Sequence, residues 1–289
     1  MCSELGLSYL SQHRFHENSI RLCNYHANTT NQSISSFHTA ILQLQSPELN
    51  LPDSNRDQPI FLWNIDNPAF QSALLEIMDV DELPFDWKYP AQIIGEIENI
   101  AAQGINLFKE LMPETFSIFQ ESISYILMGN RYGYGGGSIS SRISLIWLAP
   151  SKEWSIEIWA ENILHELVHN ILFIEELVNT IFLYSVKKMA EPNAVVISAI
   201  RQTERGFDKS FHSAFVSFSI AKFYLLLGHT EKVKSILPAL IVCLNELVTH
   251  NWVLTINGKN MLDELINNTL DMAKEVNLQS SINFVLSSS

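Results

Sequence analysis

From Ala91 onward the apolar residues recur at intervals of three and four, and this period constrains the fold more than any other feature of the chain. Ile93, Ile94, Ile97, Ile100, Ala101, Ile105 and Phe108 mark one face of a helix beginning near residue 91, since that spacing stacks side chains along one side of a 3.6-residue repeat. Pro113 interrupts the pattern, and a second helical stretch is expected through Phe116, Phe119, Ile123 and Leu127. Further helices are expected over about 156–187, 208–227, 230–249 and 260–274, with Gly228 closing one and Thr230 capping the next. The best strand is Ile143–Leu148, where β-branched and aromatic residues run together up to Pro150. The expected fold class is mainly α with a small β element (α+β), a helical domain and not a double-stranded β-helix.

Residues 1–90 read differently. The first 46 are polar, with a weak helical pattern through Ile34, Phe37, Ile41 and Leu44. Pro47, Pro52, Pro59, Pro68, Pro84 and Pro90 then crowd the stretch from 47 to 90. Proline restricts both itself and its predecessor, so loops and short helices are expected there, one of them Asn67–Met78. The expected organisation is an irregular and helical region, 1–90, packed on the core. A catalytic helical region, 91–289, follows and forms one compact unit.

The 18 Lys and Arg against 31 Asp and Glu leave a net charge of −13. That balance argues against nucleic acid or an anionic membrane as the main partner, because both call for basic patches. At 47% hydrophobic residues the chain is too apolar to be disordered. The longest apolar run, Ile236–Leu244, contains Pro238 and falls well short of the roughly 20 residues a membrane helix needs. The start of the chain lacks a basic segment followed by an apolar core, so no secretory signal is expected. Cys2, Cys23 and Cys243 form no CxxC pair, and a reduced cytoplasmic setting is expected.

The residues Glu161-Asn-Ile-Leu-His165-Glu166-Leu-Val-His169 contain H-E-x-x-H. Histidines at i and i+4 lie one turn apart on one helix face, close enough for both imidazoles to reach a single metal ion. Trp159, Ile163, Leu164, Leu167, Val168 and Ile171 supply the apolar stripe beside them. The competing reading is a solvated helix edge that carries two histidines. A metal centre needs a third ligand. Glu175 and Glu176 lie about two turns further along the same helix, too far to share the ion. Glu191 and His212 remain. His212 opens an apolar helix containing Phe211, Ala214, Phe215 and Phe218. Leu172 and Glu175 stand where a metzincin has its glycine and third histidine, and no thiol lies nearby to build a closed zinc site.

Read together with Arg201-Gln-Thr-Glu-Arg205-Gly-Phe-Asp-Lys-Ser-Phe-His212-Ser-Ala-Phe-Val, the motif resembles the HExxH-motif peptide-modification proteins found in clusters for ribosomally made, modified peptides. That family is regarded as 2-oxoglutarate-dependent peptide β-hydroxylases. The resemblance covers about residues 139–227. In the family the H-E-x-x-H is followed by two arginines four apart, then by a small-residue helix bearing a histidine. Arg201, Arg205 and His212 match those positions. The resemblance implies Fe(II) held by His165, His169 and His212, and 2-oxoglutarate held by Arg205 first and Arg201 second. It implies a precursor peptide hydroxylated at a β-carbon, and a radical-SAM enzyme as a partner, since some members occur beside or fused to one.

Physical requirements agree. An Fe(II) dioxygenase needs facial protein ligands with open positions, usually two histidines and a carboxylate, so three histidines are a departure. A dicarboxylate cosubstrate is best gripped by a bidentate arginine. Glu166 divides the readings. In a zinc metallopeptidase, with Zn(II) on His165, His169 and a third ligand such as Glu191, it would be the general base. In an oxygenase it would hydrogen-bond a bound water or orient a ligand. The third reading is a non-catalytic peptide-binding protein. The glycine-rich stretch Tyr132–Ser138 is not a phosphate loop, because no Lys-Ser/Thr follows and no strand clearly precedes it. It is expected either to join a hairpin or to shape a peptide cleft beside strand 143–148.

Overall fold

Tyr125, Ile126, Leu127 and Met128 are buried without exception, and each pairs with a residue of Leu145–Leu148 in parallel register. A strand flanked on both sides loses its polar face, which is why this stretch reads as a continuous apolar run. The computed structural model describes residues 4–30, 36–49 and 59–278. Cys2, Ile34 and Pro52 lie outside the described residues. Contacts divide the chain into two compact units, Gln12–Ile174 and Met1–Ser11 with Glu175–Ser289.

The unit Gln12–Ile174 contains helices α1 (Gln12–Thr30), α2 (Phe37–Gln45), α3 (Pro68–Met78), α4 (Ala91–Leu111) and α5 (Pro113–Ser122), with most of α6 (Ile156–Asn179). Its sheet has the order β1-β2-β4-β3, from β1 (Ile60–Leu62), β2 (Tyr125–Met128), β3 (Gly136–Gly137) and β4 (Leu145–Leu148). Strands β1, β2 and β4 run parallel, and β3 is an antiparallel edge. Asn67 caps α3 as its side chain accepts from Ala69 and Phe70, with Pro68 in the first turn. The α4 stripe packs so closely on α6 that a Cβ at Gly104 would lie 2.5 Å from the Trp159 Cβ.

The other unit contains α7 (Val186–Met189), a hairpin of β5 (Val196–Ile197) and β6 (Glu204–Arg205), then α8 (Phe207–Leu226), α9 (Thr230–Thr249) and α10 (Ile256–Glu275). Helix α8 is buried almost all round, including Phe207, Phe211, Phe215, Phe218 and Phe223, as the central helix of a small bundle must be. Thr255 starts α10 four residues before the expected point by accepting from the Gly258 N–H.

The class is therefore mainly α with a small β element, as the periodicity implied. Among the described residues no helix is long and apolar enough to cross a membrane. Four expectations need correction. Thr230 is the first residue of α9 and not its cap: His229 holds the N-cap position and makes no side-chain cap bond. The helical stretch drawn from Phe116 through Leu127 ends at Ser122 and becomes β2, because periodicity alone does not separate a short apolar strand from a buried helix. A strand does precede the glycine-rich stretch, and it is β2. Helix α6 stops at Asn179 instead of running to 187: Thr180 takes φ +50°, and Glu176 Oε2 accepts the N–H groups of Ile181 and Phe182.

Candidate metal centre

The α6 stripe explains how the motif is presented. Trp159, Leu164, Leu167 and Val168 are wholly buried, which fixes the rotation of the helix and leaves His165 and His169 half-buried along its edge. The two imidazole centroids lie 5.1 Å apart with planes at 53°, and His169 stacks on Phe173 at 6.2 Å. Two nitrogen donors one turn apart suit a divalent iron or zinc ion.

Glu166 is 4% exposed. Its Oε2 accepts the Ser138 hydroxyl at 2.7 Å, and its Oε1 lies 3.9 Å from His165 Nε2. Burial pushes its carboxyl up to about 8, against the opposing pull of Ser138. The glycine-rich stretch earns its composition here. A Cβ at Gly135 would lie 2.6 Å from Asn162 Oδ1. A Cβ at Gly136 would lie 2.5 Å from the Trp147 carbonyl oxygen and 3.4 Å from Glu166 Oε1. What approaches this backbone is the motif helix itself, not a phosphate.

Two residues of this site escaped sequence reasoning. Ser138 carries no signal of its own. Asn170 is a buried amide directly after His169: its Oδ1 accepts from Ser144 N–H (3.0 Å), and its Nδ2 donates to the Glu166 carbonyl (3.0 Å). A polar residue inside an apolar stripe was the available clue, since buried amides are held by partners. Asn170 thereby ties the motif turn to the start of β4, where Ser144 sits at φ +78°.

In the other unit, Arg201 and Arg205 belong to the β5–β6 hairpin. Arg205 lies on β6 opposite Val196, and Arg201 lies in the tight turn, where its N–H donates to Ser198 Oγ and Gln202 takes φ +53°. This hairpin is bolted to the first turns of α8. Ser210 Oγ donates to the Val196 carbonyl (2.8 Å), and Ser213 Oγ accepts from the Ala199 N–H (3.1 Å). His212 stands between those two serines in sequence. It is buried, its ring lies against Phe182 at 6.5 Å, and burial lowers its pKa to about 4, so the imidazole is neutral at pH 7. Arg205 also exerts an electrostatic pull on the half-buried carboxyl of Asp208.

The remaining carboxylates have other work. Glu191 pairs with Lys188 at 2.5 Å. Glu175 is buried and accepts from Asn257 Nδ2 at 3.0 Å. Among the described residues, no group of three or more His, Cys, Asp or Glu side chains stands together as a preformed metal cage. His165, Glu166 and His169 are brought together in one unit, while Arg201, Arg205 and His212 lie in the other. No protein-family model and no curated protein sequence matches the chain.

Proposed function

We propose that this chain is an Fe(II)- and 2-oxoglutarate-dependent oxygenase of the cytoplasm that hydroxylates a β-carbon in a ribosomally synthesised precursor peptide. The observation that carries this reading is the fastening of the two-arginine hairpin, through Ser210 and Ser213, to the turn of α8 that bears His212. A cation for a dicarboxylate is thereby held to the same framework as a metal-ligand candidate. His165 and His169 would hold the iron, and His212 is the third-ligand candidate that the resemblance supplies. Arg205, with Arg201 behind it, would grip the distal carboxylate of 2-oxoglutarate. Iron and 2-oxoglutarate bound there would supply the oxidising power to put one atom of O₂ into a peptide C–H bond, with succinate and CO₂ as co-products. A radical-SAM enzyme acting on the same peptide is the partner this reading implies.

The burial of Glu166 weighs against the zinc peptidase. A general base must meet water at the metal, whereas this carboxyl is 4% exposed and already accepts the Ser138 hydroxyl. The deciding experiment pairs metal analysis after anaerobic purification with mass spectrometry of a candidate precursor peptide. Iron, and a product heavier by one oxygen atom that forms only with O₂ and 2-oxoglutarate, is the expected result. Turnover that persists without O₂ and 2-oxoglutarate overturns the oxygenase, and cleavage of the peptide establishes the peptidase.

A further inference from the structure

Within Gln12–Ile174, one loop is fastened to the carboxyl end of each parallel strand, every time at the second residue beyond the strand. Asn64 follows β1: it accepts from Tyr89 N–H at Oδ1 and donates Nδ2 to the Tyr89 carbonyl, both at 2.7 Å. Asn130 follows β2 and donates its N–H to the Trp87 carbonyl at 2.8 Å. Pro150 follows β4 and accepts the Tyr89 hydroxyl at 3.0 Å. Loop 84–90 is thus held rigidly across the end of the sheet where ligands of parallel sheets most often sit. Trp63 packs edge-on against Tyr89 at 5.3 Å, and its buried Nε1 has no hydrogen-bond acceptor.

A cavity of about 340 Å³ opens here, at the small end of the range for ligand pockets. Ile93 and Ile97 of α4 line it with apolar surface, and Asn130 and Ser151 contribute polar groups. Lys88 and Lys152 also line it, against the single carboxylate of Asp86. Among the lining residues two ammonium groups thus face one carboxylate, in a chain of net charge −13. The Lys88 ammonium is half-exposed and pairs with Asp66, an outward residue whose side chain is 89% exposed, so the pairing is readily exchanged for a ligand.

We infer that this cavity binds a small organic monocarboxylate with an apolar body, the carboxylate between Lys88 and Lys152 and the body against Ile93 and Ile97. A dianion such as phosphate would meet Asp86 with its second charge and would leave the apolar wall uncovered. The inference does not rest on the oxygenase reading, because none of these residues belongs to the H-E-x-x-H motif.

The test titrates the full chain with phenylbutyrate and with phenylbutanol, which share one apolar body, and follows backbone amide resonances. Saturating shifts at Ile93, Asn130, Ser151 and Lys152 are expected, with the acid bound roughly five- to tenfold tighter than the alcohol, as a partly exposed charge pair supplies. Lys88→Ala with Lys152→Ala should erase that preference and leave the weak binding of the alcohol. Absence of saturating shifts, shifts centred elsewhere, or a preference that survives loss of both lysines overturns the inference.

Discussion

Ser138 donates its hydroxyl to Glu166 Oε2 at 2.7 Å across a separation of 28 residues, so the glycine-rich stretch is joined to the motif helix by a half-buried hydrogen bond. Removing the donor leaves a carboxyl in the interior with one fewer partner. Ser138→Ala is expected to cost about 1–2 kcal/mol of unfolding free energy, read from urea midpoints at unchanged slope.

Glu166→Gln keeps the shape and can still accept from Ser138, so the thermal midpoint should move little. On the oxygenase reading peptide hydroxylation should survive it, because that reaction asks no water-activating base of this position. Loss of hydroxylation in a well-folded Glu166→Gln protein would give Glu166 the ligand-orienting role, whereas a peptide-cleaving activity that this substitution abolishes would return the zinc peptidase to first place.

If Arg205 grips the cosubstrate as proposed, Arg205→Ala should raise the 2-oxoglutarate KM by about tenfold to a hundredfold, the value of a charged hydrogen-bonded pair, while iron uptake changes little. Arg205→Lys should recover only part of the loss, since an ammonium lacks the bidentate fork. The comparison needs a cosubstrate titration beside an anaerobic iron titration. Equal effects on both would remove Arg205 from the cosubstrate.

Gly136→Ala puts a methyl 2.5 Å from a backbone carbonyl that pairing with β3 holds in place. A loss of about 2 kcal/mol or more is expected. Gly133→Asn, at φ +80° with open space around it, should change stability by under about 1 kcal/mol. Thermal melts of the two variants side by side separate close approach from backbone freedom.

His38 accepts the Ser124 hydroxyl at Nδ1 (2.6 Å) and presents Nε2 to the Gln120 carbonyl (3.3 Å), an arrangement that suits the neutral ring. Burial holds its pKa below the ordinary 6.5. The unfolded chain therefore takes up the proton first as pH falls. The contribution of His38 to stability is full above about pH 6.5 and is lost as pH drops through the folded-state value. Urea midpoints from pH 8 to pH 5 should fall less steeply in His38→Asn than in the parent chain. Parallel curves would show that His38 titrates normally.

What the sequence determined by itself is what is local. Helical periodicity is written between residues three and four apart, so α4 and α8 were legible from Ile93 and Phe211 onward and α9 as the stretch 230–249, and H-E-x-x-H announced two imidazoles on one turn. Helix α1 was hidden because its polar composition offers no clean stripe. Only tertiary structure could decide β1 and β2. Ile60–Leu62 is a strand solely because Tyr125–Leu127 lies beside it, and a run such as Ile123–Met128 fits a buried helix equally well until a neighbour takes its hydrogen bonds. The same holds at the site. The charge-bearing residues were visible one by one, but Ser138 against Glu166, Asn170 between Ser144 and the Glu166 carbonyl, and the serine bolts around His212 join residues far apart in sequence or in different elements. Hydrogen bonds of that kind leave no period in a chain, because their partners are chosen by packing.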